Sequence, residues 1–210
     1  MAINLDKVTL DKSTPTVSLA KSGDGQGTMR VNLNWTASTA APQGKGFFAK
    51  LKAAAAPSID LDLCAMYELA DGTKGIVQAL GNSFGALNQP PFIHLDGDDR
   101  SGSNTAGENL HINLADISKF RRILIFAYIY EGAPNWSQAN GVVTLYPTSG
   151  PQVEVKLDSA DNQAVSCAIA MLESNGRELT VTREVRYIHG TQSDVDRAYG
   201  FGMSWSPGRK

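Results

Sequence analysis

Apolar and polar residues alternate with a period of two along most of this chain, the pattern of strands that bury one face. Met29 to Trp35 places Val31, Leu33 and Trp35 on one face and Arg30, Asn32 and Asn34 on the other. Val153, Val155 and Leu157 form a second such face, and Leu110, Ile112 and Leu114 a third. Three stretches, 61–69, 123–130 and 164–172, are apolar on both faces and predict central strands covered on both sides. Asp71-Gly72 and Asn175-Gly176 supply the positive φ that tight hairpins need. Asp161-Asn162 and the segment from Pro147 to Pro151 break the pattern elsewhere. About ten short strands separated by regular turns predict an all-β fold, an antiparallel β-sandwich. A short echo, L-D-K at 5–7 and again at 10–12, fits a small N-terminal strand pair. Asp194 to Gly200 predicts one or two helical turns.

One segment departs from the strand pattern. Ala37 to Ser58 is Ala-rich and holds Pro42, Gly44 and Gly46 before F-F-A-K-L-K-A-A-A-A. Phe47 to Ala56 has good helix propensity, so an Ala-rich insertion at about 37–58 is expected within a single domain spanning 1–210. Phe47, Phe48 and Leu51 beside Lys45, Lys50 and Lys52 offer a small partner or membrane contact.

Charge narrows the function classes. Lys and Arg total 19 against 21 Asp and Glu, a net charge of −2, so there is no bulk attraction for nucleic acid or anionic lipid. Hydrophobic residues at 42% provide for a sizeable core and exclude wholesale disorder. Two cysteines, Cys64 and Cys167, are too few for a disulfide scaffold or a four-thiolate zinc site; both lie in apolar strands and read as buried thiols. No apolar run is long enough to span a bilayer, and the N-terminus has no apolar leader core, so a soluble cytoplasmic protein is expected. Asn34-Trp35-Thr36 and Asn135-Trp136-Ser137 are then glycosylation look-alikes.

The informative chemistry is two separated acidic clusters. Asp60 and Asp62 open a strand and, two residues apart, share one face at ~6.5–7 Å between Cα atoms. Leu61 and Leu63 take the other face. The second cluster, H-L-D-G-D-D-R-S-G-S-N-T-A-G-E at 94–108, holds Asp96, Asp98, Asp99 and Glu108 among Gly, Ser and Asn. Hard cations want several oxygens from carboxylates and loop carbonyls, which this loop can supply. The loop is not an EF-hand, since Ser101 and Gly107 stand where that loop needs Gly and Glu. Solvated turns and acid–base chemistry by a carboxylate pair are the alternatives that spacing leaves open. His94 and His111 flank the loop and read as ordinary strand residues. The Glu184–Arg186 alternation reads as a solvent-facing stripe. There is no Gly-rich phosphate loop, G-x-S-x-G or H-E-x-x-H.

These residues resemble the tellurite-resistance TerD family of bacterial stress proteins. I-D-L-D-L-C-A at 59–65 is similar to the family's D-L-D-x-S-A, and G-D-D-R-S-G at 97–102 to its G-D-N-x-T-G. E-N-L-H-I-N-L at 108–114 resembles the strand after the acidic loop, and Val31 to Trp35 the V-G-L-G-W strand. Q-A-L-G-N-S-F-G at 78–85, E-G-A-P-N-W at 131–136 and V-T-R-E-V-R-Y near the end are most similar to the TerA-type branch. The resemblance implies a β-sandwich that binds Ca²⁺ at a loop end. Carried over by position, it implies Asp60, Asp62, Asp98, Asp99 and Glu108 as ligands, with a backbone carbonyl from Arg100. The aspartates of the family's D-D-E fall at Ala106 and Gly107, so one calcium ion, or a weaker site, is implied in place of two. Asp96 stands as a compensating acid.

The expectation is a calcium-binding, non-enzymatic interaction module of a bacterial tellurite-resistance and stress system. Its expected partners are other proteins of that system, with the cytoplasmic membrane face as a further docking place. A metal-free scaffold of the same fold and a carboxylate-based hydrolase are the alternatives.

Overall fold

Two-residue periodicity becomes two stacked sheets. The structure, a computed structural model, describes residues 8–9, 16–21, 27–35, 59–98, 106–148 and 152–206. The expected insertion at 37–58 lies outside the described residues. The strands are β1 (Val8–Thr9), β2 (Thr16–Lys21), β3 (Thr28–Asn34), β4 (Asp60–Leu69), β5 (Lys74–Val77), β6 (Gly85–Ala86), β7 (Ile93–Leu95), β8 (Glu108–Asn113), β9 (Phe120–Glu131), β10 (Gly141–Tyr146), β11 (Val153–Leu157), β12 (Ser166–Ser174) and β13 (Glu178–Ile188). Among the described residues there are also two short α-helices, α1 (Trp136–Ala139) and α2 (Gln192–Tyr199). One sheet runs β1-β11-β10-β3-β8-β7-β6 and the other β2-β13-β12-β9-β4-β5. Every pairing is antiparallel except β1 with β11. The fold is the expected all-β sandwich. The strands beyond the expected ten include β1, β6 and β7, which at two or three residues are too short to show alternation.

The L-D-K echo at 5–7 and 10–12, and the strand pair expected of it, lie outside the described residues. Of the described strands nearest the N-terminus, β1 joins β11 and β2 joins β13, in opposite sheets.

The alternating faces meet in the middle. Val31 and Leu33 of β3, Leu110 and Ile112 of β8, and Val143 and Leu145 of β10 pack toward Leu61 and Leu63 of β4 and Ile123 and Ile125 of β9, all without solvent exposure. The three doubly apolar stretches became β4, β9 and β12, which are neighbours in the six-stranded sheet. Their outer face forms a second cluster of Cys64, Met66, Leu124, Phe126 and Ala168, covered by Val195 of α2 and by Phe201. Both expected hairpins are present. Gly72 (φ 87°) sits in the β4–β5 turn and Gly176 (φ 82°) in the β12–β13 turn, where the Asn175 side chain accepts from the Arg177 and Glu178 N–H groups.

The covering layer is strapped on by charge-assisted hydrogen bonds. Thr191 and Asp194 form a capping box at the start of α2. Buried Asp196 accepts from the Gly202 and Met203 N–H groups and from the Trp205 indole, which holds the segment after α2 against the sheet. Arg122 donates to the Tyr199 and Gly200 carbonyls, with its guanidinium over the Phe201 ring. This layer changes the reading of Glu184 and Arg186. Glu184 accepts from the Tyr199 hydroxyl at 2.8 Å, and Arg186 lies over the Tyr199 ring, so the stripe carries α2 and does not simply face solvent. Alternation assigns a residue to a face; it does not say what covers that face.

Beneath the strap, Glu68 of β4 is buried and binds two cations, Arg122 at 2.8 Å and Arg121 at 2.7 Å. Burial alone would raise its carboxyl, but the Arg122 hydrogen bond and the charges of Arg122, Arg121 and Lys74 outweigh that and hold it below the usual carboxylate range. A carboxylate with a lowered folded-state value stabilises the fold above its unfolded value. That contribution disappears as pH falls through the folded value. Glu68→Gln should therefore weaken the protein at pH 7, by about 2 kcal/mol for a broken partly buried pair. It should also flatten the loss of stability between neutral and acidic pH. Urea midpoints of both proteins across that range test this; parallel pH curves would remove Glu68 from the account.

Candidate metal site

Asp60 and Asp62 sit at the starting end of β4 and project to the face that also carries Cys64 and Met66. Three features place this strand end. The Trp35 indole, at the end of β3, donates to the Ile59 carbonyl at 2.8 Å. In the β4–β9 pairing, Asp60 opposes Glu131 and Leu61 opposes Ile129, so Tyr130 is an extra residue bulged out of β9 beside the acids. Asp62 lies directly opposite Tyr128. The Tyr128 hydroxyl is buried and faces Asp62 on one side and Gln192 on the other; burial first, then nearby Cys64 and Asp62, push its ionisation well above the ordinary phenol range.

Both aspartates are fully buried. Asp98 reaches them from the loop after β7, which belongs to the other sheet, and keeps contact with solvent. One carboxylate oxygen from each of Asp60, Asp62 and Asp98 lies within 4.8 Å of the others. Oxygens bound to one Ca²⁺ at 2.3–2.6 Å are at most ~5.2 Å apart, so the spacing of the three is compatible with a shared ion after a small closure of the group. The donor set is all carboxylate, without nitrogen or sulfur, and suits a hard cation. Gathering three like charges with two of them out of water is costly unless a cation compensates.

The remaining expected ligands divide. Asp99 and Arg100 lie outside the described residues. Glu108, at the start of β8, is buried but is not one of the three converging acids. Its Oε2 accepts from the Leu63 N–H at 2.7 Å. β5 pairs with β4 only from Ala65 to Glu68, so Glu108 serves a ladder donor beyond the reach of β5 and ties the two sheets together beside the acids. Asp96 is also outside the group. It is bracketed by the cross-strand neighbours His111, at 2.8 Å, and His94, at 3.6 Å. These histidines therefore orient the outgoing limb of the loop.

Pattern reading missed the residues that hold the returning limb. Asn32, on the outward face of β3, donates through its amide to the carbonyls of Ala106 and Glu108 and to the Asn109 side chain. Alternation gave it no distinction from Arg30 or Asn34. Gly107 has φ 62°, and a Cβ there would collide with the Leu33 carbonyl oxygen. The acid absent from position 107 is thus a packing requirement of this chain, and the glycine was the available signal. Cys64 and Cys167 are both fully buried, as expected, and burial raises the Cys167 thiol well above its ordinary value.

Fold and site together define a class: a β-sandwich with a rim where a strand end and a loop from opposite sheets converge three carboxylates. Comparison with known proteins narrows the class. No family model matches the chain. A tellurium resistance protein TerA from an Alcaligenes species is 44% identical over 209 residues, covering 99% of this chain. The chain spans 60% of the length of that relative. A crystal structure of a homologue of the telluride resistance protein TerD from Streptomyces coelicolor A3(2) superposes with a TM-score of 0.51 at 17% identity, covering 80% of this chain and 94% of the other. A crystal structure of a protein of unknown function gives a TM-score of 0.56 at 17% identity, covering 84% and 98%. At such identities the two structures attest the fold alone. The similarity to this TerA protein runs through nearly every residue of the chain.

Proposed function

We propose that this protein is a calcium-dependent, non-enzymatic interaction module of a bacterial tellurite-resistance and stress system, acting in the cytoplasm. The observation that carries the reading is the convergence of Asp60, Asp62 and Asp98, two of them fully buried, at the junction of β4 with a loop from the other sheet. These three side chains would hold the ion, with Asp99 and the Arg100 carbonyl completing the oxygen set, while Glu108 braces the strand. The ion's contribution is charge compensation. The chain's own contribution is to tie β4 to the 96–108 loop, so that the rim surface is ordered for other proteins of the same system or for the cytoplasmic membrane face. A non-enzymatic role is supported by two features. The groove beside β5 does not have the three acids in its lining, and both thiols are buried, where direct reduction of tellurite by them is obstructed.

Calorimetric titration of chelator-stripped protein tests this. Calcium is expected to bind one site with Mg²⁺ and Zn²⁺ much weaker. Asp62→Asn should cost at least about tenfold in affinity, since charged-ligand count sets the strength of such sites. Glu108→Gln should change it by less than about threefold, because a glutamine carbonyl still accepts from the Leu63 N–H. Absence of calcium heat in the wild-type protein would leave the metal-free scaffold as the function of this fold.

A further inference from the structure

The six-stranded sheet ends at β5, and a groove of about 900 Å³ runs beside it. Its near wall presents Lys74, Gly75 and Ile76 in succession. Successive strand residues point to opposite faces. A groove that meets three in a row therefore follows the main-chain edge of the strand. Among the described residues β5 pairs only with β4, so this edge keeps outward N–H and C=O groups available. The far wall is the first turn of α2 and the segment 202–206, where Asp196 fixes Met203 and Trp205 in place.

The charge of this lining is one-sided. Among the described residues Lys74 is the only charged side chain of the lining, and its ammonium is anchored on the Phe201 carbonyl at 2.7 Å. No Asp or Glu among the described residues lines the groove. Ile76, Met203 and Trp205 supply apolar contacts between the polar ones.

We propose that this groove binds an extended, acidic segment of a partner protein, which adds to β5 as a further antiparallel or parallel strand. Main-chain bonds to the β5 edge hold the segment. Alternate side chains meet Trp205 and Met203, and its Asp or Glu residues meet Lys74. The acid cluster is not part of this lining, so the groove acts whether or not a cation occupies that cluster.

Selection from a random dodecapeptide library against the whole chain, in calcium and again in chelator, tests the proposal. The expected peptides alternate apolar residues with Asp or Glu and emerge in both conditions. They should lose at least about tenfold in affinity on Lys74→Gln, which removes the charge at an exposed position without setting a second carboxylate near Glu68. Ser204→Trp, which fills the groove without adding charge, should have a similar effect. Amide exchange should slow along 74–77 when peptide binds. Recovery of no peptide, of basic peptides, or of peptides indifferent to both variants would overturn the proposal, as would protection confined to other strands. Peptides recovered only in calcium and bound at the Asp60 rim would overturn the groove while supporting the proposed calcium-dependent module.

Discussion

Calcium at a hundredfold excess over its dissociation constant should raise the unfolding midpoint of the chelator-stripped protein by roughly 5–10 °C. The magnitude follows from mass action. Ligand at that excess stabilises the folded state by ~2.7 kcal/mol, and each kcal/mol moves the midpoint of a domain this size by ~2–4 °C. The more telling result is a crossing of curves. Asp60→Asn with Asp98→Asn removes two of three crowded negative charges, so the metal-free double variant should unfold above the metal-free wild type. In calcium the order should reverse, because the variant has lost its ligands. Scanning calorimetry of both proteins in chelator and in calcium reads all four midpoints. A double variant with the wild-type calcium response would sink the site assignment. A double variant weaker in both conditions by the same amount would mean that these carboxylates serve as hydrogen-bond acceptors and nothing more.

Gly107→Ala should be the most damaging small substitution near the site, at a cost on the order of 3–5 kcal/mol. Two effects add. An L-residue at φ 62° is strained by ~1–3 kcal/mol, and the new methyl group would be forced into the Leu33 carbonyl, an overpacking cost of similar size. Relief requires β8 to move off β3, which would pull Glu108 from the Leu63 N–H and the Ala106 carbonyl from Asn32. Gly107→Asp, which restores the acid of the family pattern, should fail in the same way and should not strengthen calcium binding. Gly97→Ala is the internal control: a Cβ there meets nothing within 4 Å, so its effect should stay within ~0.5 kcal/mol. Urea midpoints of the three variants decide. A neutral Gly107→Ala would show that the two strands part easily and that the glycine is incidental.

Much of this could be read from the chain. The doubly apolar stretches announced β4, β9 and β12, because a strand covered on both sides has no polar face to display. The tight turns at Gly72 and Gly176 followed from the need for positive φ. Asp60 and Asp62 were legible as a same-face pair because β4 is regular at that point, and Asp98 because its loop is rich in oxygen donors. Glu108 was expected as a ligand of the ion, and its service to the Leu63 N–H was not legible. That role depends on where β5 stops relative to β4, a register that no local pattern encodes. Tyr128, Asn32 and Trp35 were invisible as site residues for the same reason: their partners are 74, 24 or more positions away, or lie across a sheet.

The division has a physical cause. Side-chain periodicity, turn chemistry and charge act over a few residues, and by themselves they determined the strands, the sandwich and the two acidic segments of this chain. The burial of Asp60 and Asp62, the meeting with Asp98 from the opposite sheet, the layer of α2 over the outer face and the groove beside β5 arise from contacts between distant segments. Those contacts depend on strand order and register, which pack the chain as a whole, and only the tertiary structure decided them.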